Sequence, residues 1–230
     1  MKKIFIVIAC VMLSLSASAQ RASSSSSSFF STEKVDHGMT FGIRAGLNLA
    51  NVSASENDYS YSSDSRVSFH IGVIADIPLM QSLYVQTGLF LQNKGFVDKG
   101  EDGDYDYKQT AKPMYLEIPV LASYRYDFSD ALQLQINAGP YFAYGVGGKI
   151  KEEYDGDSDE YDYFGSYDDD DSYGVKRFDM GVQFGAGLTF GNRYYLGVSY
   201  QLGLTNIADG ADDNYSLKNK NLMVSIGYNF

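Results

Sequence analysis

From Met39 to Phe230, apolar residues recur at every second position with Gly or a polar residue between them. A period of two marks a strand whose two faces meet different surroundings. In the first such segment Phe41, Ile43, Ala45, Leu47 and Leu49 share one side, opposite Gly42, Arg44, Gly46 and Asn48. A later one sets Phe178, Met180, Val182, Phe184, Ala186, Leu188 and Phe190 against Asp179, Gly181, Gln183, Gly185, Gly187 and Thr189. Six more lie at 69–77, 83–92, 114–125, 132–142, 194–203 and 221–230. Eight strands are predicted, with almost no helical periodicity.

The links between them alternate in length. Short ones fall at 78–82, 127–130 and 191–193, and long ones at 54–65, 98–112, 149–175 and 205–217. That rhythm predicts an all-β chain: an eight-stranded antiparallel up-and-down barrel with turns at one rim and long loops at the other. A soluble lipocalin-like barrel would turn the apolar face inward. The reverse is expected here, because the apolar face carries no charge in any segment, as lipid contact requires. An Arg or Lys at mid-membrane would cost roughly 2–4 kcal/mol. The other face holds Arg44, Asp76, Glu117, Arg125 and Asp179 and many glycines, which suits a barrel with room inside only for side chains. Phe41, Phe69, Tyr126, Phe178, Phe190, Tyr194, Tyr228 and Phe230 fall near strand ends, where aromatic girdles belong. Pro119 and Pro140 interrupt their segments, and each predicts a bulge or a missing ladder bond.

The first residues read as an address. Lys2 and Lys3 precede an apolar run, Ile4–Leu15, and Ala17-Ser18-Ala19 offers a cleavage site, so residues 1–19 read as a secretory signal peptide. Cys10 lies inside the apolar run rather than at the cleavage site, which argues against a lipoprotein. Residues 20–38, with serines at 23 to 28, read as a flexible linker, and 39–230 as the barrel. No apolar run after the signal reaches the length of a spanning helix.

Several stretches carry a family likeness. Gly42-Ile-Arg-Ala-Gly-Leu-Asn-Leu49, Tyr115-Leu-Glu-Ile-Pro-Val120, Asn137-Ala-Gly-Pro-Tyr141 and Tyr200-Gln-Leu-Gly-Leu-Thr-Asn-Ile207 resemble the PorT-like outer-membrane β-barrel family. The resemblance implies the outer membrane of a Gram-negative cell; in such a membrane the linker is expected in the periplasm and the long loops outside. It brings no catalytic residues. The family's named member supports secretion of proteases, so an accessory role in a secretion system is one expectation.

Composition sharpens this picture. The chain is 230 residues long with a formal charge of −11, which argues against a nucleic-acid binder, since that would need a basic face. Of 29 acids, 22 fall in the four long links beside five lysines; the remainder of the chain after the signal is net basic. In the link at 149–175, Asp155, Asp157 and Asp159 have the alternating spacing of calcium ligands. However, Glu160 and Ser166 stand where a calcium loop needs Gly and Glu. A solvated, mobile acidic loop is expected, with loose divalent binding as the alternative. Tyr154, Tyr161, Tyr163, Tyr167 and Tyr173 interleave the acids and suit partner contact.

Arg66, Lys176, Arg177, Lys218 and Lys220 lie where long links meet strands, the height at which lipopolysaccharide phosphates would meet them. Arg44, Asp76, Lys94, Glu117, Arg125 and Asp179 are expected to pair inside and close the lumen. Ser68 and His70 share the inward face without an identifiable third partner, so no enzyme and no cofactor is expected. A lipid-modifying or proteolytic barrel enzyme is the remaining alternative to a non-catalytic barrel displaying its loops for interaction or envelope integrity. The partners expected are outer-membrane lipid, lipopolysaccharide, the barrel assembly machinery, and secretion-system proteins or surface partners.

Overall fold

The computed structural model describes residues 38–230, apart from 57–58, 103–104, 130, 155–156, 167–171 and 211–214. The signal peptide and linker, residues 1–19 and 20–38, therefore fall almost wholly outside the described residues, as does Asp155.

Among the described residues the chain forms β1 (Thr40–Glu56), β2 (Tyr59–Ser62), β3 (Asp64–Met80), β4 (Leu83–Asn93), β5 (Phe96–Asp102), β6 (Tyr105–Ala111) and β7 (Met114–Ser129). It continues through β8 (Leu132–Gly147), β9 (Lys149–Tyr154), β10 (Asp157–Phe164), β11 (Ser172–Val175), β12 (Phe178–Phe190), β13 (Tyr194–Gly203) and β14 (Tyr215–Asn229). Eight of these form the barrel. Their antiparallel order is β1-β3-β4-β7-β8-β12-β13-β14, and β14 pairs back onto β1 from Gly42↔Asn229 to Glu56↔Tyr215. Closure leaves the barrel no bare edge, the condition for a sheet in hydrocarbon.

The faces divide as the alternation predicts. Leu47, Phe69, Ile71, Val73, Ile136, Leu196, Val198 and Ile226 are exposed on the outside, while Arg44, Asn48, His70, Gln92, Glu117, Gln135, Asp179 and Gln201 are buried within. A water-soluble protein reverses this distribution. The aromatic residues at the strand ends also face out, from Phe41 and Phe69 to Tyr194 and Phe230.

The prolines produce missing bonds rather than bulges. Pairing of β7 with β8 reaches Pro119↔Tyr141 and resumes at Ala122↔Ala138. Pairing of β4 with β7 stops at Thr87↔Val120 and resumes at Phe90↔Glu117. The register is unchanged across both gaps, and the Thr87 hydroxyl donates to the Pro119 carbonyl at 2.8 Å. A proline in a central strand has no N–H to give, and here a side chain supplies one donor.

Two of the long links are built into strands among the described residues, which corrects the expectation of a mobile acidic loop at 149–175. The one at 98–112 lies largely within the β5–β6 hairpin and the one at 149–175 contains β9, β10 and β11. β6 pairs with β9 and β5 with the tip of β3, so the hairpins form one sheet continuing the barrel wall. Beneath it Tyr115, Tyr141, Ile150, Tyr163, Phe164 and Ile207 form a buried cluster. Tyr163 and Tyr115 meet Phe164 edge-on at ring separations of 5.0 and 5.3 Å, contacts each worth about 0.5–1.5 kcal/mol beyond burial. That core gives the acidic hairpins something to order against, at a height the alternation cannot reveal.

Candidate functional site

The barrel interior holds two ionic clusters. Toward the hairpin end, Lys94 Nζ lies 2.9 Å from Glu117 Oε2 and 3.5 Å from Asp179 Oδ2, all of them shut off from solvent. Lys94 follows β4 directly and turns its ammonium under the rings of Tyr141 and Tyr115, at 4.5 and 5.3 Å. Amides complete the cluster: Gln92 and Gln201 both donate to Glu117 Oε1, and Asn219 donates to Asp179 Oδ2. Toward the short turns, Arg125 bonds Asp76 at 2.6 Å and stacks on Tyr84, while Gln86 donates to the other Asp76 oxygen at 2.8 Å. Arg44 lies over the Tyr195 ring at 4.1 Å and donates to Asn229 Oδ1 at 2.8 Å.

All six charged residues expected inside are there, three cations with three anions. Buried charge persists only when paired and hydrogen-bonded. Two clusters replace the single network expected, because Asp76, Arg125 and Arg44 sit at the turn ends of their strands and Lys94, Glu117 and Asp179 at the opposite ends.

Between the clusters lies a cavity of about 40 Å³ lined by Arg44, His70, Gln92, Glu117, Gln183, Tyr195 and Ser225, among others. His70 does not meet Ser68, whose hydroxyl donates to the Asn93 carbonyl. Instead its Nδ1 is 2.7 Å from Asn48 Oδ1 and its Nε2 is 2.9 Å from Ser225 Oγ. Sequence reading missed Asn48 and Ser225. Its available signal was that both fall on the polar side of their alternating segments, although the strand order that joins them is not written locally.

The basic residues behave less uniformly. Lys176 and Arg177 are exposed beside the hairpin sheet, and Arg177 also donates to the Gly145 carbonyl. Lys218 and Lys220 occupy positions on β14 that alternate with the buried Leu217, Asn219 and Asn221, which turns them outward. Arg66 is not on that outer belt: it bonds Asn93 Oδ1 at 2.6 Å and the Lys94 carbonyl at 3.1 Å, because it shares the inward parity of Ser68 and His70 on β3. Asp157 and Asp159 are exposed on extended β10, opposite Tyr154 and Glu152. A calcium loop must curl to gather oxygens; among the described residues no group of acids or histidines is gathered so.

On the hairpin sheet Glu153 is bracketed by Lys151 at 2.6 Å and Lys108 at 3.0 Å. The hydrogen bonds from those ammonium groups pull its carboxyl down to about 2. Tyr61 on β2 donates to Asp98 on β5 at 2.5 Å, linking two strands with no shared ladder, and that bond pushes the phenol up to about 12.

A closed eight-stranded antiparallel barrel with an apolar exterior and a polar, ion-paired interior defines an outer-membrane β-barrel protein. The chain belongs to the family described as outer membrane protein beta-barrel domain, whose model matches residues 18–209. Among solved structures it is similar to Ail, the attachment invasion locus protein of Yersinia pestis, at 18% identity over 84% of this chain and 100% of that one, with a TM-score of 0.40. It is also similar to Neisserial surface protein A, at 14% identity over 84% of this chain and 100% of that one, TM-score 0.39. The outer membrane enzyme PagL aligns at 13% identity over 80% of this chain and 98% of that one, TM-score 0.32. No curated protein sequence matches the chain.

Proposed function

We propose that this protein is an outer-membrane barrel whose working part is the platform of acidic, tyrosine-rich hairpins, displayed on the cell surface for a partner. One observation carries the reading: the described parts of the links at 98–112 and 149–175 are not loose acidic chain but a sheet, ordered over a buried aromatic core. Ordering these segments in advance lowers the entropy lost on binding. The tyrosines it leaves exposed, Tyr59, Tyr61 and Tyr154, offer large amphipathic contact area with few rotatable bonds. The two ionic clusters and the hairpin core obstruct the lumen, which fits an anchor better than a channel. Membership of the PorT-like group specifically, and with it a secretion role, rests on the four motif stretches alone.

The orientation is testable because the only cysteine, Cys10, lies in the expected signal peptide. A membrane-impermeant maleimide on intact cells should label Tyr59→Cys on the hairpin rim and spare Gln81→Cys on the turn rim. The opposite pattern overturns surface display. With the orientation established, replacing Tyr59, Tyr61 and Tyr154 together by Ser should abolish whole-cell binding to the partner surface while leaving barrel insertion unchanged.

A further inference from the structure

We propose that Ser225 is an activated nucleophile in the lumen, held by His70 and Asn48 and able to take a short acyl group, of acetyl size, from an ester. The bond pattern assigns the protons. Asn48 Nδ2 donates to the carbonyls of Phe69 and Asn93, both at 3.1 Å, so its two N–H groups are used and its oxygen is the atom that faces the imidazole. An oxygen there accepts only from a protonated Nδ1. The neutral ring therefore carries its proton on Nδ1 and presents the Nε2 lone pair to the Ser225 hydroxyl, 2.9 Å away. This is the serine–base–orienting-group order that nucleophilic hydrolysis requires.

The fold builds it across three strands. His70 on β3 pairs with Gly46 on β1, and Gly46 pairs with Ser225 on β14. Histidine and serine are thus two strands apart, with a glycine between them. A Cβ at position 46 would lie 1.9 Å from the Val224 carbonyl and 2.7 Å from the imidazole Cε1. Only glycine lets the ring lie across β1 and reach Ser225.

The cavity in front of Ser225 and His70 measures about 40 Å³. A buried water needs at least about 10–15 Å³, so the space suits a few waters or an acetyl group and excludes an aromatic or long-chain acyl group. Arg44 lines the same cavity, a positive charge on the wall where an oxyanion would develop. In acylation the Ser225 Oγ–C bond forms as the ester C–O bond breaks; the hydroxyl proton passes to His70 Nε2 and on to the departing oxygen. Water then attacks the acyl-serine and gives its proton to Nε2; the acyl carbon–Oγ bond breaks as that proton passes on to Ser225 Oγ, releasing the short carboxylic acid. Ser225 and His70 are the catalytic residues, and Asn48 is a positioning residue acting through His70.

The test uses the folded barrel in detergent with methanesulfonyl fluoride, a serine reagent small enough for the cavity. Peptide mapping should place one methylsulfonyl group on Ser225, absent in Ser225→Ala, while phenylmethanesulfonyl fluoride leaves that serine untouched. His70→Gln should slow labelling about 100-fold or more, the scale of a lost general base. Asn48→Leu should slow it as well and change its pH profile, which a loss of packing alone would not do. Acetate release from vinyl acetate, followed by proton NMR, should vanish in Ser225→Ala. Each variant is first shown to fold by its heat-dependent gel shift. The proposal is overturned if the folded wild type is not labelled at Ser225, if the larger reagent labels it equally, or if folded His70→Gln reacts at the wild-type rate. Should His70→Gln not fold, the wild type, Ser225→Ala and the size comparison decide alone.

Discussion

Replacing Lys94 by Met removes the one cation that two fully buried carboxylates share. At an effective dielectric constant of about 20, its attraction to Glu117 at 2.9 Å is about 6 kcal/mol and to Asp179 at 3.5 Å about 5 kcal/mol. Desolvation of the ammonium offsets much of that sum, and the net cost of orphaning a buried charge is about 3–5 kcal/mol. Lys94→Met should therefore lower the unfolding free energy by about that amount, and the neutral combination Lys94→Met, Glu117→Gln, Asp179→Asn should recover most of it. With no tryptophan and 20 tyrosines, unfolding is best followed by circular dichroism and gel mobility during urea titration in lipid vesicles. A loss below about 1 kcal/mol, the scale of an exposed pair, would refute the reasoning, as would a triple variant no more stable than the single one.

Other outcomes follow from the same geometry. Arg125→Leu should destabilise the turn rim by about 3–5 kcal/mol by leaving Asp76 unpaired, and a double variant that also carries Asp76→Leu should regain much of it in the same urea titration. Gly46→Ala should fail to give the folded band on a gel, since its Cβ meets the backbone oxygen of Val224 at 1.9 Å. Because folding lowers the Glu153 carboxyl to about 2, its contribution is present above the unfolded value near 4.3 and lost as pH falls from there toward 2. Protease sensitivity of the β9–β10 hairpin should rise across that window, and Glu153→Gln should remove the dependence. In planar bilayers the purified barrel should show no steady conductance; stepwise openings would contradict a lumen obstructed by the two ionic clusters.

What could be read from the sequence followed what is written in alternation. The eight barrel strands were legible because lipid on one side and a polar lumen on the other impose maximum contrast, as at Phe178–Phe190. The hairpin strands were not, because segments such as Tyr154–Tyr163 mix acids with glycine, serine and tyrosine and carry no alternating apolar face. The six lumen charges were legible from parity alone. Their division into two clusters depends on stagger between strands, which local patterns do not encode. His70 shows the limit most plainly. Its neighbour in sequence, Ser68, shares its inward face, yet the serine it bonds is 155 residues away, brought there by closure of β1 onto β14.

That closure has a consequence for how the molecule comes into being. The seam joins the first strand of the barrel to the last, and Phe230 N–H donates to the Phe41 carbonyl at its very end. Until residues 215–229 arrive, β1 and β13 each present a row of unsatisfied peptide groups, which hydrocarbon penalises by several kcal/mol apiece. A truncated chain thus has no partial credit in the membrane: it completes the ring or stays out of it. The Ser225–His70 bond crosses that same seam, so it exists only in a finished barrel. Its chemistry would serve as a chemical stamp of completed assembly.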